Sequence, residues 1–324
     1  MIVLWRVTSR CNLSCPFCAY DRRLPFARTS TDSSEVRRFL GVLADYQQAR
    51  RDRVLVSWLG GEPLLQPELS ALSAHATGRG LRISATTNGT TLGSSAVRRH
   101  LLDHYSELTI SLDSPDEMHD ALRSSPGLFR ALRENVSILA AARHASVRPL
   151  KLRVNTVLLR STIDRFHHLA REVAAWGVDE LTFNLLGGRD RPEYFPDNRP
   201  LPAQVSRFID RLTGIRSELA SGGFVISGSP AYLDRLNSAV HDIPRPVIDC
   251  GAGERFLFID EHGSVSPCAF TSESLAVPLA DLRNAADIAA LPARFGLTRS
   301  ACRPGVCDDC PSTQVFEKFS HNAA

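Results

Sequence analysis

Short apolar or β-branched runs recur along the first part of the chain, at 2–7, 53–58, 81–86, 107–112, 151–158 and 180–185. Between them lie helix-length patterns at 33–46, 127–143 and 162–176, with apolar residues spaced three and four apart. Strand and helix alternating in this way predict a parallel sheet with helices packed outside it. Six βα units are too few for a closed eight-stranded barrel, so the expected fold is an α/β partial (β/α)6 TIM-like barrel. In such sheets the loops at the carboxyl ends of the strands carry function, which says where motifs should fall.

The pattern breaks at 187–202, GGRDRPEYFPDNRPLP, a stretch rich in Gly, Pro and charge. A helix is expected at 203–221, a short strand at 224–226, and a β-hairpin at 255–259 and 264–266 turning at Gly263. The expected division is a barrel core at 1–190, a linker with helices at 191–245, and a small hairpin-plus-helix domain at 246–324.

Composition narrows the function classes. Hydrophobic residues make up 43% and charged residues 23%, as in a globular protein. The net charge is only +3 and the arginines are scattered, which argues against a nucleic-acid partner. The only lysines are Lys151 and Lys318. No run of about 18 apolar residues occurs, so no membrane partner is expected. The amino terminus reads as a first strand rather than a signal peptide, and a reducing cytoplasmic location is expected, where clustered cysteines point to metals.

The eight cysteines are polarised: three at 11–18 and five between 250 and 310. In RCNLSCPFC, Cys11, Cys15 and Cys18 follow the first strand directly. Three thiolates can each hold one iron of a cubane and leave the fourth iron open to a substrate. A structural zinc would need a fourth ligand from elsewhere.

The CxxxCxxC spacing, with Phe17 before the last cysteine, resembles the signature of the radical SAM superfamily. The resemblance implies a [4Fe-4S] cluster on Cys11, Cys15 and Cys18 whose open iron chelates S-adenosylmethionine. Reductive cleavage of that cosubstrate would yield methionine and a 5′-deoxyadenosyl radical, with an external reductant such as flavodoxin or ferredoxin supplying the electron. Further motifs follow in the family's order. Gly60-Gly61-Glu62 is similar to the GGE motif, whose carbonyls and carboxylate hold the cosubstrate's ammonium group; glycine also suits a plain turn. Thr87-Asn88-Gly89 resembles the TNG turn, making Asn88 a candidate contact. Ser111-Leu112-Asp113 with His119, Asp120 and Arg123 is similar to an SLD…HD..R pattern. Ser111 and Arg123 are then candidates for the methionine carboxylate, the latter by bidentate pairing, and Asn155 for the ribose or adenine.

In the tail, Cys250, Gly263 and Cys268 followed by the CxxC pair Cys307 and Cys310 resemble the SPASM/twitch extension of that superfamily. The resemblance implies a second, auxiliary [4Fe-4S] cluster on Cys250, Cys268, Cys307 and Cys310. Four thiolates alone would also suit zinc. Cys302 is left over, as a small buried hydrophobe, an alternative ligand or a hydrogen-atom donor. Sulfatase-maturing members carry an Asp directly after the cysteine equivalent to Cys268; here Ala269 stands there, and Asp249, Glu254, Asp260 and Glu261 are nearby acids without a ranking.

The expected reaction is dehydrogenation, epimerisation or decarboxylation of a small molecule (a sugar, cyclitol or nucleoside-like substrate) in secondary metabolism, antibiotic biosynthesis among it. The compact tail and a core starting at residue 1, with no amino-terminal peptide-recognition domain, favour it. The alternative is a maturase that crosslinks or epimerises a ribosomally made peptide. A third reading, a non-catalytic iron–sulfur electron-transfer protein, predicts no 5′-deoxyadenosine.

Overall fold

Strands and helices alternate from the first residues of the computed structural model, which describes residues 1–146, 148–248, 250–301 and 303–319. The order is β1 (Ile2–Thr8), α1 (Ser33–Arg50), β2 (Leu55–Gly60), α2 (Leu69–Gly78), β3 (Arg82–Thr87), α3 (Ser95–His104) and β4 (Glu107–Ser111). Then come α4 (Met118–Arg123), α5 (Leu128–Ala142), β5 (Lys151–Leu158), α6 (Phe166–Ala175), β6 (Glu180–Leu185) and the single turn α7 (Phe195–Asn198). The chain continues through α8 (Pro202–Leu219), β7 (Val225–Ile226), α9 (Pro230–Val240), β8 (Phe256–Ile259), β9 (Ser264–Ser266), β10 (Val277–Pro278) and α10 (Ala285–Ala301).

Among the described residues all ten strands belong to one open sheet, ordered β10-β9-β8-β1-β2-β3-β4-β5-β6-β7. β1 to β7 pair in parallel with their sequence neighbours, as right-handed βα crossovers favour. This is the expected α/β partial barrel. The two faces of the sheet differ in chemistry. Val3, Trp5, Val56, Trp58, Ile83, Leu108, Ile110, Leu152 and Val154 are buried in the core shared with the helices. From β3 to β6 alternate positions turn the other way and carry charge. There Arg82 meets Glu107 at 3.2 Å, and Arg153 bridges Glu107 at 3.2 Å and Glu180 at 2.7 Å. On the helix side Trp5 packs edge-on to Phe39 and 5.6 Å from Trp58, whose Nε1 donates to Ser73 Oγ at 3.0 Å.

The tail continues the same sheet. β8 adds in parallel to β1, pairing Ile2 with Phe256 and Trp5 with Ile259, and β9 folds back antiparallel across a turn where Gly263 takes φ +79°. Arg38 of α1 fastens the segment after β10, donating to the carbonyls of Leu279 and Leu282 at 2.9 Å each. The expected boundary at 245/246 therefore precedes a hairpin that belongs to the core's sheet. β2 runs to Gly60 rather than ending at 58, so the first glycine of the motif lies within the strand, where the register with β1 shifts. Among the described residues no helix is long and apolar enough to cross a membrane.

Leu257 in β8 is fully buried between β1 and the tail. Leu257→Ala should cost about 2–5 kcal/mol and lower the midpoint of a single unfolding transition in denaturant. A separate tail transition with the core unchanged would contradict a shared sheet.

Candidate active site at the carboxyl ends of the strands

The loop after β1 holds Cys15 buried and Cys11 and Cys18 half-buried. Cys18 N donates to Cys15 O at 3.1 Å, closing a turn that brings the last two thiols together. Donors already face the sulfurs: Leu13 N lies 3.5 Å from Cys11 Sγ, Tyr20 N lies 3.3 Å from Cys18 Sγ, and Asn88 Nδ2 lies 3.8 Å from Cys11 Sγ. As free thiols all three are pushed up by burial, Cys15 to about 11; ligation to iron would hold them deprotonated. No three His, Cys, Asp or Glu side chains among the described residues converge on one point as ligands of a single ion. A cubane asks for something else, since each thiolate binds its own iron.

Gly60 and Gly61 explain why this loop sits where it does. Gly61 N donates to Thr8 O and Glu62 N to Arg10 O, at 2.9 and 2.8 Å. Gly60 takes φ +150°, and a Cβ there would meet Thr8 O at 2.2 Å; one on Gly61 would meet Arg10 O at the same distance. Only glycine permits this backbone contact. The next residue, Glu62, is fully buried. Its carboxylate accepts from Thr87 Oγ1 at 2.8 Å, Asn88 N at 2.6 Å and Leu64 N at 3.1 Å. Burial pushes this carboxyl up to about 7 against the pull of those donors and of Arg123. Asn88 in turn donates to Asn12 Oδ1 at 2.9 Å, so the glycine motif, the TNG turn and the cysteine loop form one network.

Arg123, a candidate for bidentate pairing with the cosubstrate's carboxylate, already has one partner. Its Nε lies 2.6 Å from Asp113 Oδ2, and its guanidinium lies 5.2 Å from the Phe17 ring centroid. Its two terminal nitrogens make no hydrogen bond among the described residues. Asp113 also accepts from Val157 N at 2.9 Å. Burial works against the charges on both, yet Arg123, His119 and the Val157 amide together hold the Asp113 carboxyl below its ordinary range, and Asp113 with the neighbouring Cys15 and Cys18 raises the guanidinium. Ser111 ends β4 beside Asn155 on β5. Asn155 is not free either: its Oδ1 accepts from Thr182 Oγ1 at 3.0 Å and from Lys318 Nζ at 2.7 Å.

Asp113, Lys318 and the segment after β6 carry contacts that the motifs do not signal. Arg191 reaches Asp21 Oδ2 in the cysteine loop at 3.0 Å, and the Tyr194 ring lies 6.3 Å from that of Phe17. The stretch that reads as a break in the pattern thus closes over the cysteines. Its Gly, Pro and charge give it no periodicity from which to read this.

The four tail cysteines surround a cavity of about 70 Å³, with Phe256 and Phe295 also in its wall. Arg299 Nη1 lies 3.6 Å from Cys250 Sγ, and Thr271 Oγ1 lies 3.4 Å from Cys268 Sγ. Burial and the neighbouring thiols push Cys307 and Cys310 up. Four thiols around a small cavity suit the proposed auxiliary cluster. Of the candidate bases, Glu261 pairs with Arg6, and Asp260 Oδ1 caps the hairpin turn, accepting from His262 N and Ser264 N at 2.9 Å. Asp249 and Cys302 lie outside the described residues.

An open α/β barrel with three thiols after its first strand, and a glycine-anchored buried carboxylate beside them, defines a class of metalloenzyme. The radical SAM superfamily model matches residues 5–173, and the chain belongs to that superfamily. It is an enzyme whose cofactors are S-adenosylmethionine and a [4Fe-4S] cluster. The chain is 28% identical over 322 residues to a PqqA peptide cyclase of Xanthomonas euvesicatoria, covering 97% of this chain and 80% of that protein. It is 24% identical over 285 residues to an AdoMet-dependent heme synthase of Methanosarcina barkeri, covering 83% and 76%. Its fold is similar to that of Streptococcus suis SuiB bound to S-adenosylmethionine, with TM-score 0.68 and 14% identity over 96% of this chain and 72% of that one.

Asp113→Ala would leave Arg123 buried without its counter-charge, and should cost about 3–5 kcal/mol in denaturant unfolding. Because the Asp113 carboxyl is held low, this stabilisation is present at neutral pH. The gap between parent and variant should close only as pH falls below about 4.

Proposed function

We propose that the radical chemistry of this chain is directed at a peptide. The observation that carries the reading is the similarity to peptide cyclases along nearly the whole chain, barrel and tail together. The small-molecule substrate expected from the compact tail is the weaker reading, because that tail is spanned by the same similarity.

In this reading Cys11, Cys15 and Cys18 hold the cluster, with the Leu13 and Tyr20 amides and Asn88 tuning its sulfurs. When bound there and reduced by an external flavodoxin or ferredoxin, the cluster would supply one-electron reductive cleavage of S-adenosylmethionine. Glu62 and the carbonyls of Gly60 and Gly61 would hold the cosubstrate's ammonium group. The terminal nitrogens of Arg123 and the Ser111 hydroxyl take its carboxylate, while Asp113 fixes the guanidinium through Nε. Phe17 packs under that guanidinium, and Tyr194 shields the same corner from water. Cys250, Cys268, Cys307 and Cys310 hold the auxiliary cluster. Ala269 offers no base after Cys268, so a substrate proton leaves by another route than in sulfatase-maturing members.

Anaerobically reconstituted protein should hold about eight irons per chain, and about four with stoichiometric zinc would contradict the auxiliary cluster. Cys15→Ala should abolish 5′-deoxyadenosine formation under dithionite. Short peptides encoded beside the gene should raise 5′-deoxyadenosine output and lose hydrogen atoms by mass; stimulation by the low-molecular-weight fraction alone would restore the small-molecule reading.

A second expectation concerns pH. Glu62 must be ionised to meet a cation, and its carboxyl titrates near 7. Cosubstrate affinity should therefore be about tenfold weaker at pH 6 than at pH 8, and Glu62→Gln should flatten that dependence.

A further inference from the structure

Lys318 is one of only two lysines in a chain that otherwise takes its positive charge from arginine. It comes from the segment after the CxxC pair, yet its side chain is buried at the ends of β5 and β6 and is only 5% exposed. Nζ lies 2.7 Å from Asn155 Oδ1 and 2.7 Å from Asn184 Oδ1. The chain turns sharply to deliver it. Glu317 takes φ +54°, a left-handed backbone unfavourable for a residue with a side chain. Ser229 anchors the turn, its N donating to Glu317 O at 3.3 Å and its Oγ to Phe316 O at 3.2 Å. The Phe319 ring lies 5.1 Å from Nζ and 4.8 Å from the Arg153 guanidinium.

In its protonated form the Lys318 ammonium can only donate. Each carboxamide must therefore turn its oxygen toward Nζ, and its NH₂ group away. Two further donors enforce the same choice: Thr182 Oγ1 on Asn155 Oδ1 at 3.0 Å and Tyr232 OH on Asn184 Oδ1 at 3.2 Å. Neither Nδ2 meets an acceptor among the described residues, and both asparagines are half-buried. The Ser111 hydroxyl, on the neighbouring strand opposite Asn155, is likewise without a partner there. Three open polar groups thus line adjacent strands in the part of the barrel to which the proposed function, on which this inference rests, assigns the cosubstrate. Burial pushes the Lys318 amine down to about 7, with Arg153 adding to the effect and Glu180 opposing it.

We propose that Lys318 is a positioning residue of the cosubstrate site: by holding both carboxamide oxygens, it presents Asn155 and Asn184 as paired N–H donors to oxygen acceptors of S-adenosylmethionine. Those acceptors are the ribose hydroxyls or the methionine carboxylate, and the cosubstrate's own fragments distinguish them. Arginine cannot replace the lysine, because a planar fork does not fit a point between two amides.

The test is equilibrium binding of S-adenosylmethionine, 5′-deoxyadenosine and methionine to the reconstituted enzyme and its variants. Lys318→Met should weaken S-adenosylmethionine about tenfold. The loss should be reproduced in one fragment only: 5′-deoxyadenosine if the ribose is held, methionine if the carboxylate is. Asn184→Leu removes the outward donor without adding a charge, so it should give the same selective loss. Combined with Lys318→Met it should add little, since both remove the same interaction. Unchanged affinity in both variants, equal weakening of both fragments with a lower melting temperature, additive losses, or full rescue by Lys318→Arg would each overturn the proposal.

Discussion

The close approach of two backbone segments governs this site. Gly60 and Gly61 lie against the carbonyls of Thr8 and Arg10 with no room for a Cβ, and that contact presses the cysteine loop onto the end of β2. Glu62 follows directly and reaches across to Thr87 and Asn88, and Asn88 reaches back to Asn12 and toward Cys11. Three strand ends are tied into one rigid unit by a few hydrogen bonds around a buried carboxylate. A site built in this way holds its shape before any ligand arrives, which favours tight positioning of a cosubstrate.

The second organising feature is the continuity of the sheet. Because β8 joins the edge of β1, the tail lies on the strand that launches the cysteine loop. The same tail then runs past the four-thiol cavity and brings Lys318 to Asn155 of β5 and Asn184 of β6. Segments from the first strand and from the tail therefore meet around one barrel.

Much of this was legible in the sequence, and the reasons are specific. The parallel core strands show as apolar runs because one face of each is packed under helices. The cysteine, GGE and TNG motifs fall at strand ends because close backbone contact and short turns demand those residue types. Other parts were hidden. α3 buries only Leu101 and so shows no apolar stripe, while the stripe of α10, Ile288, Leu291 and Phe295, is interrupted by Pro292. Asp113 carries a partner for Arg123 that spacing does not reveal. The contacts of Arg191 and Tyr194 depend on how a Pro- and Gly-rich loop folds back. Lys318 stands 163 positions from Asn155, and only the folded chain brings the two together. Its one signal was compositional: a lysine in a chain that uses arginine almost everywhere else.

The most direct test of the glycine contact is 5′-deoxyadenosine formation by reduced, reconstituted enzyme, comparing the parent chain with Gly61→Ala. The account predicts that the parent cleaves S-adenosylmethionine. It predicts that the variant keeps its sheet by circular dichroism and loses nearly all cleavage, because the added Cβ displaces the cysteine loop. Cleavage undiminished in Gly61→Ala, or absent in the parent, would contradict it.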